Sequence, residues 1–233
     1  MQPSILFTLG LGFALGLKHA TEADHLAAVS SIVSERRSVL DSARVGALWG
    51  LGHTASLMLA GLLVIGLGIV FPQRLANMLE LTVAIMIIVL GSRVLYRVHA
   101  HSHSHLGQRH FHLHFHEAGD AHSARYSHEG PHSSWSRGRT FLVGVVHGLA
   151  GSAALTLLVL TGVIRGGSPA LGLVYLLVFG AGSIGGMTIM SCLLGLPFVI
   201  GLKVSPRFPA FLQVSAASAS IVFGFFYAWR ILS

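Results

Sequence analysis

The sequence predicts an all-α integral membrane protein of six transmembrane helices, arranged as two inverted halves of three. Three observations lead there. Of 233 residues 53% are hydrophobic and only 10% charged, against about 25% charged in a soluble domain, and the mean hydropathy is +0.72. Apolar stretches long enough to cross a hydrocarbon core of about 30 Å recur along the chain. A glycine and histidine pattern of the first half also returns in the second.

The spans are placed at residues 4–33, 45–71, 75–98, 140–164, 169–200 and 210–232. They divide the chain into a transmembrane half (1–98), a histidine-rich loop (99–137) and a second transmembrane half (138–233). The stretch before Lys18 lacks the form of a removable signal and is taken as the start of the first span. As straight helices the first and fifth spans would be about 45 Å long, so each must tilt, protrude or break. Gly180, Gly182, Gly185 and Gly186 mark the fifth as a place for a break.

Direction follows from the 15 Lys and Arg residues. Arg36, Arg37 and Arg44 follow span one; Arg93, Arg97, Arg109, Arg125, Arg137 and Arg139 surround the long loop; Lys203 and Arg207 follow span five. Arg74, Arg165 and Arg230 fall on the other side. Positive residues concentrate in the cytoplasm, which puts both termini outside and the loop inside.

The duplication reads as Phe13-x-x-Gly16-x-x-His19 against Phe141-x-x-Gly144-x-x-His147, and as Gly50-x-Gly52-His53 against Gly180-x-Gly182-Ser183. With three spans per half, the second half must be inverted. Inverted repeats place a substrate site at their interface in transporters.

Lys18-His19-Ala-Thr21-Glu22-Ala-Asp24-His25 puts five ionisable side chains into an otherwise apolar span. Each charge near the bilayer centre costs about 3 kcal/mol on insertion scales, so such groups face a partner or a cavity. On a continuous helix His19, Asp24 and His25 point in directions too different to share one ion. They converge only if the helix unwinds near residues 20–23 or if other spans surround it. A buried salt-bridge cluster centred on Lys18 and Glu22 is the structural alternative. His53 and His147, each beside glycine, are further metal-pathway candidates. Ser152, Thr156 and Ser183 offer weaker oxygen ligands, although small polar residues also serve plain helix packing.

The loop holds 11 of the 15 histidines. His99, His101, His103 and His105 alternate, as do His110, His112, His114 and His116. In extended chain such spacing puts four imidazoles on one side, and imidazole suits nickel, copper, zinc and cobalt. A polar linker with incidental histidines is the alternative. Buffering or delivery of metal needs no more than this composition.

Several function classes are disfavoured. One cysteine, Cys192, rules out a disulfide framework and a thiol redox pair. Basic residues at span ends account for the net charge of +7 without nucleic acid. No phosphate loop and no His-Glu-x-x-His motif is present. An intramembrane serine hydrolase would have to use Ser152 or Ser183 with a membrane histidine, and no Gly-x-Ser-x-Gly elbow is present. An exporter of a small organic solute gives no reason for histidines in lipid. The expectation is a transporter and not an enzyme, with no permanently bound cofactor and with nitrogen and carboxylate ligands suited to nickel(II), cobalt(II) or zinc(II).

His19-Ala-Thr-Glu22-Ala-Asp24-His25 resembles the His-x4-Asp-His signature of the nickel/cobalt transporter family, with Glu22 where that family often carries Asp. Leu-Gly52-His53-Thr54 resembles its second histidine motif. The length is similar to the six-span branch related to urease-accessory membrane proteins. The resemblance implies transport of nickel(II) or cobalt(II) across a cytoplasmic (inner) membrane, with His19, Asp24, His25 and His53 as binding residues and Thr54 beside them; uptake is the leading expectation and efflux of the same metals the alternative. A metallochaperone or a urease or hydrogenase maturation factor is the implied cytoplasmic partner.

Overall fold

The computed structural model describes residues 5–67, 72–99, 104–105, 108–109, 137–164, 168–204 and 207–233. Seven α-helices follow in order: α1 (Ile5–His19), α2 (Ala23–Val33), α3 (Val39–Leu67), α4 (Gln73–His99), α5 (Arg137–Ile164), α6 (Pro169–Val204) and α7 (Arg207–Leu232). Two residue pairs, β1 (Ser104–His105) and β2 (Gln108–Arg109), form an antiparallel ladder within the loop. Helices α3, α4, α6 and α7 are long and apolar enough to cross a membrane, while α1 and α2 are shorter apolar helices. Large apolar side chains such as Leu6, Met78, Phe211, Val222 and Trp229 lie exposed on the outside, as a lipid-facing surface requires.

The first predicted span is two helices. Helix α1 stops at His19, and the Thr21 and Glu22 N–H groups bond to the Lys18 and His19 carbonyls at 2.9 and 3.1 Å, a tighter turn than an α-helix makes. The Thr21 hydroxyl donates to the same Lys18 carbonyl at 2.6 Å. Glu22 then occupies the N-cap of α2 in extended backbone without capping through its side chain. Helix α3 starts with a reciprocal cap: Ser38 Oγ receives the Asp41 N–H at 3.1 Å and donates to Asp41 Oδ2 at 2.7 Å.

The expected break in the fifth span is absent, because α6 runs unbroken past Gly180, Gly182, Gly185 and Gly186. Those glycines serve close packing. A methyl group at Gly182 would collide with the Phe13 carbonyl, at Gly180 with the Thr54 side chain, and at Gly186 with Ala20. Reciprocally, Gly16 leaves room for the Phe179 carbonyl.

These contacts recur under a shift in residue number that is fixed for each pair of helices, 128 between α1 and α5 and 130 between α3 and α6. Gly52 meets the Phe141 carbonyl as Gly182 meets that of Phe13, and Gly144 meets the Trp49 carbonyl as Gly16 meets that of Phe179. Gly50 packs on Ile184, and Gly180 on Thr54, each related to its counterpart by 130 positions. Between α4 and α7, Gly91 faces Ala217 and Ile221 while Gly224 faces Ala84 and Ile88, all related by 133. Both pairings are antiparallel, since contact partners rise in number along one helix as they fall along the other.

Candidate metal centre

Helix breakage is what assembles the site. With α1 ended at His19, α2 begins after the extended residue Glu22 and carries Asp24 and His25 in its first turn, where a carboxylate complements the helix dipole. Helix α3 supplies His53 and α5 supplies His147. The four histidines outside the loop all meet here.

His19 Nε2 and His53 Nε2 stand 3.1 Å apart. Asp24 divides its carboxylate between two rings, Oδ1 at 3.0 Å from His25 Nδ1 and Oδ2 at 2.9 Å from His147 Nε2. Its Oδ1 also accepts the His25 backbone N–H at 2.9 Å. Ring centroids of His25 lie 4.6 Å from His19, 5.2 Å from His53 and 4.1 Å from His147, so His25 is the hub. His25, His53 and His147 are buried, at 1%, 0% and 2% exposure.

Two overlapping groups of three that could hold a metal ion result, His19–His25–His53 and Asp24–His25–His147, each with its donor atoms within 4.8 Å of one another. Donors bound tetrahedrally at about 2.1 Å to one ion sit about 3.4 Å apart, so each set is near the spacing one ion requires and would draw together on binding. His25 Nε2, His53 Nδ1 and His147 Nδ1 are buried without a hydrogen-bond partner among the described residues. Orphaned polar atoms in an apolar interior are costly, and metal coordination is one way to satisfy them.

Glu22 is half exposed and pairs with His19 Nδ1 at 3.0 Å, in place of the Lys18 pairing that a continuous helix would give. A carboxylate behind a histidine fixes its tautomer and ring orientation. Thr54 stands apart from the cluster, bonded to the Gly180 carbonyl at 3.3 Å. Ser183 is buried at the α1–α6 contact, with its Oγ unpartnered among the described residues. The side chains of Ser152 and Thr156 lie outside the described residues, as do those of His99 and His105. So do His101, His103, His110, His112, His114 and His116 altogether.

The sequence reading missed Trp49, whose ring stacks on His25 at 5.5 Å and 27° and lies 5.5 Å from His147. It also missed Glu80 of α4 and Tyr227 of α7. Both line a cavity of about 330 Å³ together with His19, Asp24, His25 and His147. The signal for Trp49 was its position one turn before His53; Glu80 was a carboxylate in an apolar span.

The profile of the family described as cytochrome C biogenesis protein transmembrane region matches residues 12–226. Urease accessory protein UreH of Bacillus sp. (strain TB-90) is 35% identical over 234 residues, covering 99% of this chain and 94% of UreH. The chain belongs to this transmembrane family, among the relatives of UreH. A 77-residue segment is also 37% identical to a high-affinity nickel transport protein of Cupriavidus necator, over 32% of this chain and 21% of that protein. No solved structure matches. The resemblance to the nickel/cobalt transporter family and its urease-accessory branch is therefore borne out. This UreH relative is a multi-pass membrane protein, and the curated proteins it matches are transport and accessory proteins, not enzymes. Dithiol electron transfer needs two thiols, whereas the sequence has one, Cys192, partly buried near the Val39 carbonyl.

Proposed function

We propose that this chain is a permease that takes up nickel(II), and with it cobalt(II), across the cytoplasmic membrane through an intramembrane histidine and carboxylate site. The observation that carries the reading is the convergence of His19, Asp24, His25, His53 and His147 from four helices at one point within an apolar bundle. Charged and imidazole groups buried in lipid-facing helices need a function to offset their cost. Nitrogen and carboxylate donors without thiolate suit nickel(II), cobalt(II) and zinc(II). The name of the Cupriavidus necator relative favours nickel among these.

The bundle is read as six crossings, with α1 and α2 together making the first and α5 the fourth. The shifted contacts favour a 3+3 inverted repeat, since α3 packs antiparallel on its counterpart α6 and α4 on α7. Orientation follows the arginine count, with termini outside and the histidine loop in the cytoplasm. There the loop receives or buffers metal, and a urease maturation factor or metallochaperone is the fitting acceptor. The name of UreH supports that assignment.

Accumulation of radioactive nickel in cells expressing the chain, against cobalt and zinc as competitors, tests the reading. Wild-type protein concentrates nickel, while His25→Ala and Asp24→Asn fall to background at equal membrane abundance. Near-normal uptake by both variants overturns the site. Loss of nickel from preloaded cells makes the protein an exporter of the same ion.

A further inference from the structure

The cavity that reaches the histidines has a wall that the site does not use. Glu80 of α4 forms part of it. Gln73 and Asn77, bonded to each other at 2.8 Å, precede Glu80 by seven and three residues, so the three make one polar stripe from the first residue of α4 to the cavity. A carboxylate in a membrane span faces a cavity or a partner; Glu80 has the cavity. His25 and His147 line the same space, both buried, each with a ring nitrogen that has no partner among the described residues.

A second cavity supplies the contrast. The 133-residue shift that relates α4 to α7 carries Glu80 to Gln213 and Tyr227 to Val94, and Gln213 and Val94 line a cavity of about 330 Å³ of their own. Its charged lining is Glu35 with Arg36, Arg37 and Arg97, a net charge of +2. The cavity at the histidines has Glu22, Asp24 and Glu80 against Lys18, a net charge of −2 with histidine neutral. At the second cavity Arg97 pairs with Glu35 at 2.9 Å and Gln213 Nε2 donates to the Ser34 carbonyl at 2.8 Å, tying α4 and α7 to the segment after α2.

We propose that Glu80 is the capture carboxylate of an extracytoplasmic vestibule, drawing a hydrated divalent cation toward the histidine site at its floor. The proposal rests on the permease reading and gives it a polarity. The N-terminus of α4 and the C-terminus of α7 lie outside in the orientation proposed above, and the acidic vestibule is at those ends. Low-dielectric walls of one charge sign concentrate counter-ions and speed their association. The related position at the other end is neutral Gln213 among arginines, which repels a cation and so favours its release from the membrane.

Nickel uptake by Glu80→Gln and Glu80→Asp, measured from limiting to saturating nickel, tests this. The Gln variant raises the half-saturating nickel concentration about tenfold, at the low end of electrostatic steering, and leaves the maximal rate near wild type. The Asp variant restores most of the apparent affinity. Wild-type uptake at limiting nickel falls with ionic strength, and the Gln variant shows a weaker dependence. Glu80→Cys in a Cys192→Ser background reacts with a membrane-impermeant maleimide from outside intact cells. An unchanged half-saturation in Glu80→Gln, a fall confined to the maximal rate, or labelling only from the cytoplasmic side overturns the proposal. If Glu80→Gln is normal while His25→Ala is dead, the vestibule fails and the permease stands; if both transport normally, the permease reading fails as well.

Discussion

Asp24 is the residue on which the two ligand sets depend, because its oxygens hold His25 and His147 at 3.0 and 2.9 Å. In the proposed site the histidines must offer lone pairs, so protons compete with the metal. Nickel affinity of purified protein lacking residues 100–131 should therefore weaken as pH falls from about 7.5 to about 5.5, with proton release on binding. Titration calorimetry in buffers of different ionisation enthalpy reads both. Affinity that stays flat or rises toward pH 5.5 would show that the histidines are not the ligands. His19, Asp24, His25 and His53 were legible in the sequence because ionisable residues in an apolar span stand out against its solvent. Trp49 was not, since an aromatic residue in a membrane helix looks the same whether it packs on a histidine or on lipid. Glu80 stood alone, with no sequence neighbour to suggest what it faces.

At the scale of helices, the sequence predicted that the first span could bring its motif together by unwinding, and residues 20–22 do leave the helix. The same reading expected a break at the glycines of the fifth span and was wrong there. Glycine permits both a break and a close approach, and a sequence does not say which one a neighbouring helix will impose. In α6 the neighbours are the Phe13 carbonyl and Ala20, pressed against Gly182 and Gly186. Gly182→Val should force α1 and α6 apart and lower stability by about 3 kcal/mol, at the upper end of overpacking costs. Gly10→Ala, where a methyl group meets nothing within 4 Å, should hold or slightly raise stability through helix propensity. Thermal unfolding in detergent compares the two. Equal midpoints would mean that the α1–α6 seam tolerates a side chain and that the glycines have another purpose.

For the whole molecule, two of the three related helix pairs were visible as sequence patterns, at shifts of 128 and 130. The third, α4 with α7, keeps Ala84-x3-Ile88-Val89-x-Gly91 against Ala217-x3-Ile221-Val222-x-Gly224, with Arg74, Leu79 and Arg97 also matching Arg207, Leu212 and Arg230. So little survives because most positions on these helices face lipid, where any apolar residue serves; the recurring contacts lie where the helices touch. In the permease proposed above, the membrane potential is the drive to test first. Each elementary charge crossing 100 mV changes free energy by about 2.3 kcal/mol, so a divalent ion gains about 4.6 kcal/mol on moving inward. That corresponds to about three decades in accumulation at equilibrium. Nickel uptake into liposomes containing the purified protein should rise when a potassium diffusion potential makes the interior negative, and fall when the sign is reversed. Uptake indifferent to either potential would point to an exchange that moves no net charge, and a proton counterflow would then take the place of the potential as the driving force.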